Sequence, residues 1–258
     1  MQRPKSILIT GASSGIGAAL AAAYAAPGVT LALTGRNEDR LAAIAEHCRG
    51  SGAETVTAAL DVTDARALAD WIAEVDARAP LELVIANAGI SGGTGGGEGE
   101  AQARRIFAVN VDGVLNTLLP VIPRMQARGR GQVALMSSLA AFRGFPGAPA
   151  YCASKALVKT WGEALRGTLG REGVAVSVIC PGFVRTPMTD INPYPMPMLM
   201  DAKATAALIK RRLARNHGRI AFPWPMYALV WFFGALPPVL TDPLFARLPE
   251  KSRLPERP

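Results

Sequence analysis

The stretch Ser6-Ile-Leu-Ile-Thr10-Gly11-Ala-Ser-Ser-Gly15-Ile-Gly17-Ala-Ala-Leu-Ala-Ala-Ala-Tyr24 decides how this chain folds. It opens on a short apolar run of strand character and closes on an alanine-rich run of high helix propensity. Between them stand three glycines in the spacing G-x-x-x-G-x-G. A strand that turns through glycines straight into a helix lets the backbone come close to a ligand. It also presents free N–H groups and the positive end of the helix dipole, which suits a pyrophosphate. The spacing therefore predicts a phosphate-binding turn built from Gly11, Ser13, Ser14, Gly15, Ile16 and Gly17. A tight turn with no ligand is the competing reading, and the strand–turn–helix context disfavours it.

Outward from this unit the same rhythm repeats. Apolar runs at 29–34, 54–60, 81–86, 132–137 and 174–179 alternate with helical stretches at 16–26, 39–49, 64–78, 101–126 and 150–169. The runs are continuous rather than alternating, as in strands buried on both faces of a parallel sheet. A seventh strand is read at 220–222. The fold class is α/β, a doubly wound parallel sheet of Rossmann type with about seven strands and an apolar C-terminal extension. Residues 1–222 form the dinucleotide-binding and catalytic domain, with a substrate loop at 187–217. Residues 223–258 form the extension.

Composition narrows the function classes. The chain has 258 residues, half of them hydrophobic and 19% charged, which excludes a disordered protein. Cys48, Cys152 and Cys180 are too few for a disulfide framework and are read as reduced thiols. Two histidines and three scattered cysteines give no metal-ligand spacing, so no metal is expected. The first five residues run directly into the first strand with no apolar leader. The expected location is the cytoplasm, with peripheral attachment at the inner face of a membrane as a variant.

Tyr151 and Lys155 stand four apart in a helical stretch and share a face. A tyrosine titrates near ~10, too high for a base at neutral pH, and an adjacent ammonium favours its phenolate. Ser138 follows the strand at 132–137 and so reaches the crevice where open α/β sheets bind ligands. Ser137 is the competing serine. After the second strand the chain reads Gly35-Arg36-Asn37, with no acid until Glu38. An acid there would hold ribose hydroxyls, whereas Arg36 can fork onto a 2′-phosphate, so NADP(H) is predicted over NAD(H).

The glycine spacing, Asp61-Val62, Asn87-Ala88-Gly89, Asn110, Ser138, Tyr151-x-x-x-Lys155 and Pro181-Gly182 occur in the order of the short-chain dehydrogenase/reductase family, which the chain resembles over roughly residues 6–190. The resemblance implies that Asp61 and Val62 flank the adenine, and that Asn87, Ala88 and Gly89 lie along the adenosine ribose. It implies that Pro181, Gly182, Val184 and Thr186 cover the nicotinamide, with Thr186 on the carboxamide. It makes Asn110, Ser138, Tyr151 and Lys155 the catalytic set. Asn110 would anchor a water that extends the proton path from Lys155, and Lys155 would also bond the nicotinamide ribose. The favoured serine is Ser138. The implied activity is hydride exchange between a ketone or aldehyde and its alcohol. A non-catalytic dinucleotide sensor is the alternative, and a nucleotide-sugar epimerase is disfavoured by length and glycine spacing. A homodimer or homotetramer is implied by resemblance alone.

Net charge is +8, of which +6 falls in residues 201–258. Lys203, Lys210, Arg211, Arg212, Arg215 and Arg219 form a run without acids, and residues 220–240 carry no charge. Pro223, Pro225, Pro237 and Pro238 argue against a membrane span, and the uninterrupted stretch 226–236 is too short to cross. Residues 226–236 read as a short apolar helix. With the aromatic residues beside a basic run, 203–240 suits peripheral contact with an anionic membrane, a subunit interface or a roof on the substrate pocket. Nucleic acid is not expected, since no recognition motif accompanies the charge. The loop at 187–200, with Met188, Tyr194, Met196, Met198, Leu199 and Met200, leans toward a lipid-like carbonyl substrate. The glycine-rich stretch 91–99 reads as a mobile loop.

Overall fold

The computed structural model describes residues 4–92, 98–192 and 195–246. Tyr194, most of the glycine-rich stretch and the chain beyond residue 246 lie outside them. Seven strands form one parallel sheet: β1 (Ser6–Thr10), β2 (Thr30–Thr34), β3 (Glu54–Ala58), β4 (Leu83–Ala86), β5 (Gly131–Met136), β6 (Val174–Pro181) and β7 (Arg219–Phe222). Their order is β3-β2-β1-β4-β5-β6-β7. The order reverses between β1 and β4, and the crevice at that switch point lies at the carboxyl ends of both strands.

β1 shows why the apolar runs are continuous. All five residues are buried. Ile7 and Ile9 point into one cluster with Leu31, Leu33, Leu20 and Ile209. Leu8 points into the other with Ile72, Val84, Leu118 and Val133. Helices cover both faces, so neither side of the strand can be polar. β3 departs from the expectation. Glu54 and Thr57 are exposed, because this strand pairs with β2 alone and forms the sheet edge.

The helices are α1 (Gly15–Tyr24), α2 (Glu38–Gly50), α3 (Ala65–Arg78), α4 (Glu100–Phe107), α5 (Gly113–Leu118), α6 (Ile122–Ala127), α7 (Pro149–Leu169), α8 (Ala202–Ala214), α9 (Trp224–Ala235) and α10 (Pro238–Phe245). Asn37 and Asp64 cap α2 and α3 by accepting the N–H of Arg40 and Ala67. The expected single helix at 101–126 is instead a composite, with a π-helical turn at Ala108–Asp112 between α4 and α5. The run from Glu100 to Ala127 is long and apolar enough to cross a bilayer, yet Ile106, Val114, Leu118 and Met125 bury its inner face in the core.

Two helices were not expected. α8 occupies most of the stretch read as the distal part of a substrate loop. The Asp201 carboxylate accepts the N–H of Lys203 and Ala204, and Thr205, Ala206, Ile209 and Leu213 are buried. The basic residues lie on its outer side, where Lys210 donates to the Ala23 carbonyl. α10 begins at Pro238, where a proline costs nothing because the first helical N–H has no partner anyway. α9 has 12 residues and is about 18 Å long, too short to cross the ~30 Å hydrocarbon core. Its inner face lays Met226, Tyr227 and Val230 against Leu139, Val178 and Cys180. Arg143 ties α10 down through Thr241 and Asp242. All three cysteines are buried thiols.

Candidate active site

The glycine turn between β1 and α1 is shaped by three close approaches. Gly11 has φ +66°, and a Cβ there would stand 2.8 Å from the Ala88 Cα. Gly15 has φ +56° and faces Thr186. At Gly17 a Cβ would lie 2.2 Å from the Gly11 carbonyl oxygen, so only glycine lets the helix fold back on its own turn. Thr10 Oγ1 accepts the N–H of Asn87 and Ala88, and Asn87 Nδ2 donates to the carbonyls of Thr10 and Gly11. The Asn87 amide thus locks the turn to the end of β4. Ser14, the N-cap of α1, makes no side-chain cap bond, and the first turn of α1 holds no acid. The N-terminal dipole is left unneutralised, as an anionic ligand requires.

A cleft of about 520 Å³ runs from this turn across the carboxyl ends of the strands. It gathers Gly11, Ser13, Ser14, Gly15 and Ile16 with Arg36, Asp61, Val62, Asn87, Ala88 and Gly89 at one end. Ser138, Tyr151, Lys155, Pro181, Gly182, Val184 and Thr186 line the other. Gly17 and Asn110 are not in its wall. Among the described residues, none of α9 or α10 is in its wall. Met226 and Pro223 instead back the wall from behind, at 3.0 Å from where a Gly182 Cβ would be.

At the adenosine end, Arg36 is half exposed and stands 4.0 Å from the Asp61 carboxylate. Burial pushes the Asp61 carboxyl up. The N–H and hydroxyl of Thr63 and the charges of Arg36 and Arg105 outweigh that and hold it below its ordinary value. Arg40, one turn into α2, also lines this end. Its spacing of four from Arg36 was legible in the sequence but was not used.

At the other end the two serines divide. Ser137 is 2% exposed, and its hydroxyl donates to the Lys155 carbonyl at 2.7 Å. It fastens β5 to α7 and has no proton left for a ligand. Ser138 lies in the cleft, accepts the Ala140 N–H and has its hydroxyl 3.5 Å from the Pro181 carbonyl. That separation is at the limit of a hydrogen bond, so the hydroxyl is free to turn toward a substrate oxygen. Lys155 is 4% exposed. Its ammonium donates to the Met136 carbonyl at 3.0 Å and stands 5.8 Å from the centre of the Tyr151 ring. Burial pulls its pKa down to about 8, opposed by the neighbouring Cys180. At pH 7 the amine is still charged.

Asn110 is fully buried in the π-helical turn. Its side chain accepts the Ile90 N–H and donates to the Ile90 carbonyl and to Ser154 Oγ. The side chain braces the π-helical turn against the chain after β4 and against α7. π-turns recur where a helix must aim one residue at a site. Ser154, which sequence reasoning passed over, donates to the Tyr151 carbonyl at 2.7 Å. Thr189, also passed over, accepts the Thr186 N–H and donates to the Val184 carbonyl. It pins the loop after β6.

Residues 5–193 match the family model described as short chain dehydrogenase. The chain belongs to the short-chain dehydrogenase family. Like other short-chain dehydrogenases it is an oxidoreductase whose fold binds a nicotinamide dinucleotide. An uncharacterized oxidoreductase of Myxococcus xanthus is 39% identical over 246 residues, covering 95% of this chain and 97% of its own. One of Mycobacterium tuberculosis is 36% identical over 244 residues, covering 91% and 95%. Among solved structures, a short-chain dehydrogenase from Sphingobium yanoikuyae in complex with NADPH is 25% identical. It has a TM-score of 0.77 over 98% of this chain and 99% of its own. A short chain dehydrogenase from Mycobacterium paratuberculosis bound to NAD has a TM-score of 0.78 over 87% and 98% at 22% identity, a likeness of fold.

Proposed function

We propose that this short-chain dehydrogenase reduces a ketone or aldehyde with NADP(H), Tyr151 giving the proton to the carbonyl oxygen. The observation that carries the reading is the division of labour at one end of the cleft. The Ser137 hydroxyl is taken up by the Lys155 carbonyl, while Ser138, Tyr151 and Lys155 line the same cleft as the glycine turn. The residues fit a dinucleotide: an uncapped α1 N-terminus for the pyrophosphate, Arg36 and Arg40 for a 2′-phosphate, and Thr186 against Gly15 at the nicotinamide end. Bound there, the nicotinamide would supply the hydride.

The chain's own residues do the rest. Lys155, charged at neutral pH, stabilises negative charge on the Tyr151 oxygen and so eases its proton exchange. Ser138 donates to the substrate oxygen as charge develops on it. Val184 and Met200 bridge the base of the segment 187–199. Met188, Ile191 and Met198 are exposed on that segment, and Met188 reaches the cleft wall. These apolar, adaptable side chains support a lipophilic carbonyl substrate. A dinucleotide sensor would have no use for an arranged Ser138, Tyr151 and Lys155. Tyr151→Phe tests the reading: turnover should fall by about 100-fold or more while NADPH affinity stays within a factor of about two.

A second proposal concerns α9 and α10. Trp224, Leu229, Trp231, Phe232, Val239, Leu240 and Leu244 are 49–76% exposed on their outer side. Scattered apolar residues need no explanation, but a row of this size favours docking. The occupant is a second copy of the chain or an anionic bilayer. Light scattering that gives a dimer or tetramer, dissociated by Trp231→Glu with Phe232→Glu, assigns the copy. Flotation with phosphatidylserine vesicles, lost in the same variant, assigns the bilayer. A monomer that does not float refutes both.

A further inference from the structure

The helix that carries Tyr151 and Lys155 begins without a cap of its own. The N-cap position of α7 is Ala148, which offers no side-chain acceptor, and Pro149 fills the first turn. The N–H groups of Ala150 and Tyr151 would then be orphans beside the cleft, at the end of the helix where such groups cost most. They are not orphaned. The Glu98 carboxylate, 52 residues earlier, accepts both: Ala150 N–H on Oε2 and Tyr151 N–H on Oε1 at 3.3 Å. Gly92 makes room for it, since a Cβ there would stand 3.1 Å from Glu98 Cγ and Oε1.

The carbonyl of Tyr151 is held as well. Ser154 Oγ donates to it, Asn110 Nδ2 donates to Ser154 Oγ, and Asn110 bonds both backbone groups of Ile90. The backbone of Tyr151 thus sits between two clamps, and both trace back to the chain that follows β4. We propose that Glu98 is a positioning residue for Tyr151, a carboxylate lent by the segment after β4 to cap α7 and fix the tyrosine's backbone from its N–H side. The negative charge also complements the dipole of α7. This inference rests on the reading of Tyr151 given above.

Glu98→Ala removes both acceptors, and Glu98→Gln keeps one carbonyl oxygen at the same reach. Two measurements test the cap and its consequence separately. Amide hydrogen exchange on the ligand-free protein should quicken at Ala150 and Tyr151 by about 5–10-fold in Glu98→Ala and by less in Glu98→Gln. For the ketone that the wild type turns over fastest with NADPH, kcat should fall by about tenfold in Glu98→Ala. KM and NADPH affinity should stay within about a factor of two, and Glu98→Gln should recover part of the loss. In a Tyr151→Phe background the same Glu98→Ala change should cost nothing further, because it acts through the tyrosine. Unchanged exchange at the two amides overturns the cap. An equal kcat loss with and without the Tyr151 hydroxyl overturns the positioning role. Should Tyr151→Phe itself keep full turnover, the functional reading falls, and the exchange measurement still decides the cap.

Discussion

Replacing Lys155 with methionine separates what this lysine does for chemistry from what it costs the fold. The side chain is 4% exposed, and burial lowers its pKa to about 8. In the unfolded chain a lysine titrates near ~10.4. Between those two values the unfolded state holds the extra proton, so stability rises with pH through the window and is flat on either side of it. Below pH 8 the folded protein therefore carries the whole cost of a buried ammonium, on the order of 3 kcal/mol from the span of the two values. Methionine has a similar length and no charge. It forfeits the bond from Nζ to the Met136 carbonyl, 3.0 Å long, a charged hydrogen bond worth about 1.5–3 kcal/mol. The balance at pH 7 is a gain of about 1 kcal/mol, or roughly 2–4 °C in melting temperature for a chain of this size. By pH 9.5 more than half of the ammonium's cost is gone, and the two proteins should melt together or in the opposite order. Calorimetry of the ligand-free proteins at both pH values checks this. A Lys155→Met variant that is less stable at pH 7, by the same margin at pH 9.5, would refute the reasoning. The variant should also be inactive at both.

Three further outcomes are expected. Arg36→Ala should weaken NADPH by about tenfold and leave NADH within about a factor of two, read by fluorescence titration, because only the former has a charge for the guanidinium to meet. Gly17→Ala should lower the unfolding free energy by about 1–3 kcal/mol and impair dinucleotide binding, since its Cβ would press on the Gly11 carbonyl. Asp76 is 5% exposed and accepts from Arg128 and from the Leu81 N–H, both at 2.8 Å. Asp76→Ala leaves the Leu81 N–H unpaired and Arg128 with the Leu81 carbonyl alone, and should cost about 1–3 kcal/mol in urea unfolding with no change in cofactor affinity.

The parallel sheet was legible because its strands are apolar on both faces, and a run such as Ile7-Leu8-Ile9 has no other stable place. The cleft was legible because its chemistry is local in sequence: a glycine turn, and a tyrosine and lysine one helical turn apart. Features that depend on distant residues were not. Ser137 and Ser138 look alike at the end of β5, and only the approach of the Lys155 carbonyl commits the first and frees the second. Asn110 was singled out, but its work on Ile90 and Ser154 depends on a π-turn that no residue spacing announces. α8 was missed because its four basic residues, Lys203, Lys210, Arg211 and Arg212, drew attention from Thr205, Ala206, Ile209 and Leu213, which carry the helical period beneath the charges. Asp201 was its start signal. α10 was hidden because Pro237 and Pro238 were read only as evidence against a membrane span, when Pro238 occupies a first turn. Glu98 caps a helix 52 residues away, which no window along the chain can show.

The central claim is that Tyr151 serves NADPH-driven carbonyl reduction in this cleft. Its most direct test is NADPH oxidation across a panel of ketones graded by size and lipophilicity, wild type beside Tyr151→Phe. Turnover should rise with acyl length or ring count and be lost in the variant, with NADPH still bound. Tight NADPH binding with no turnover on any ketone, or a Tyr151→Phe protein as active as the wild type, would contradict it.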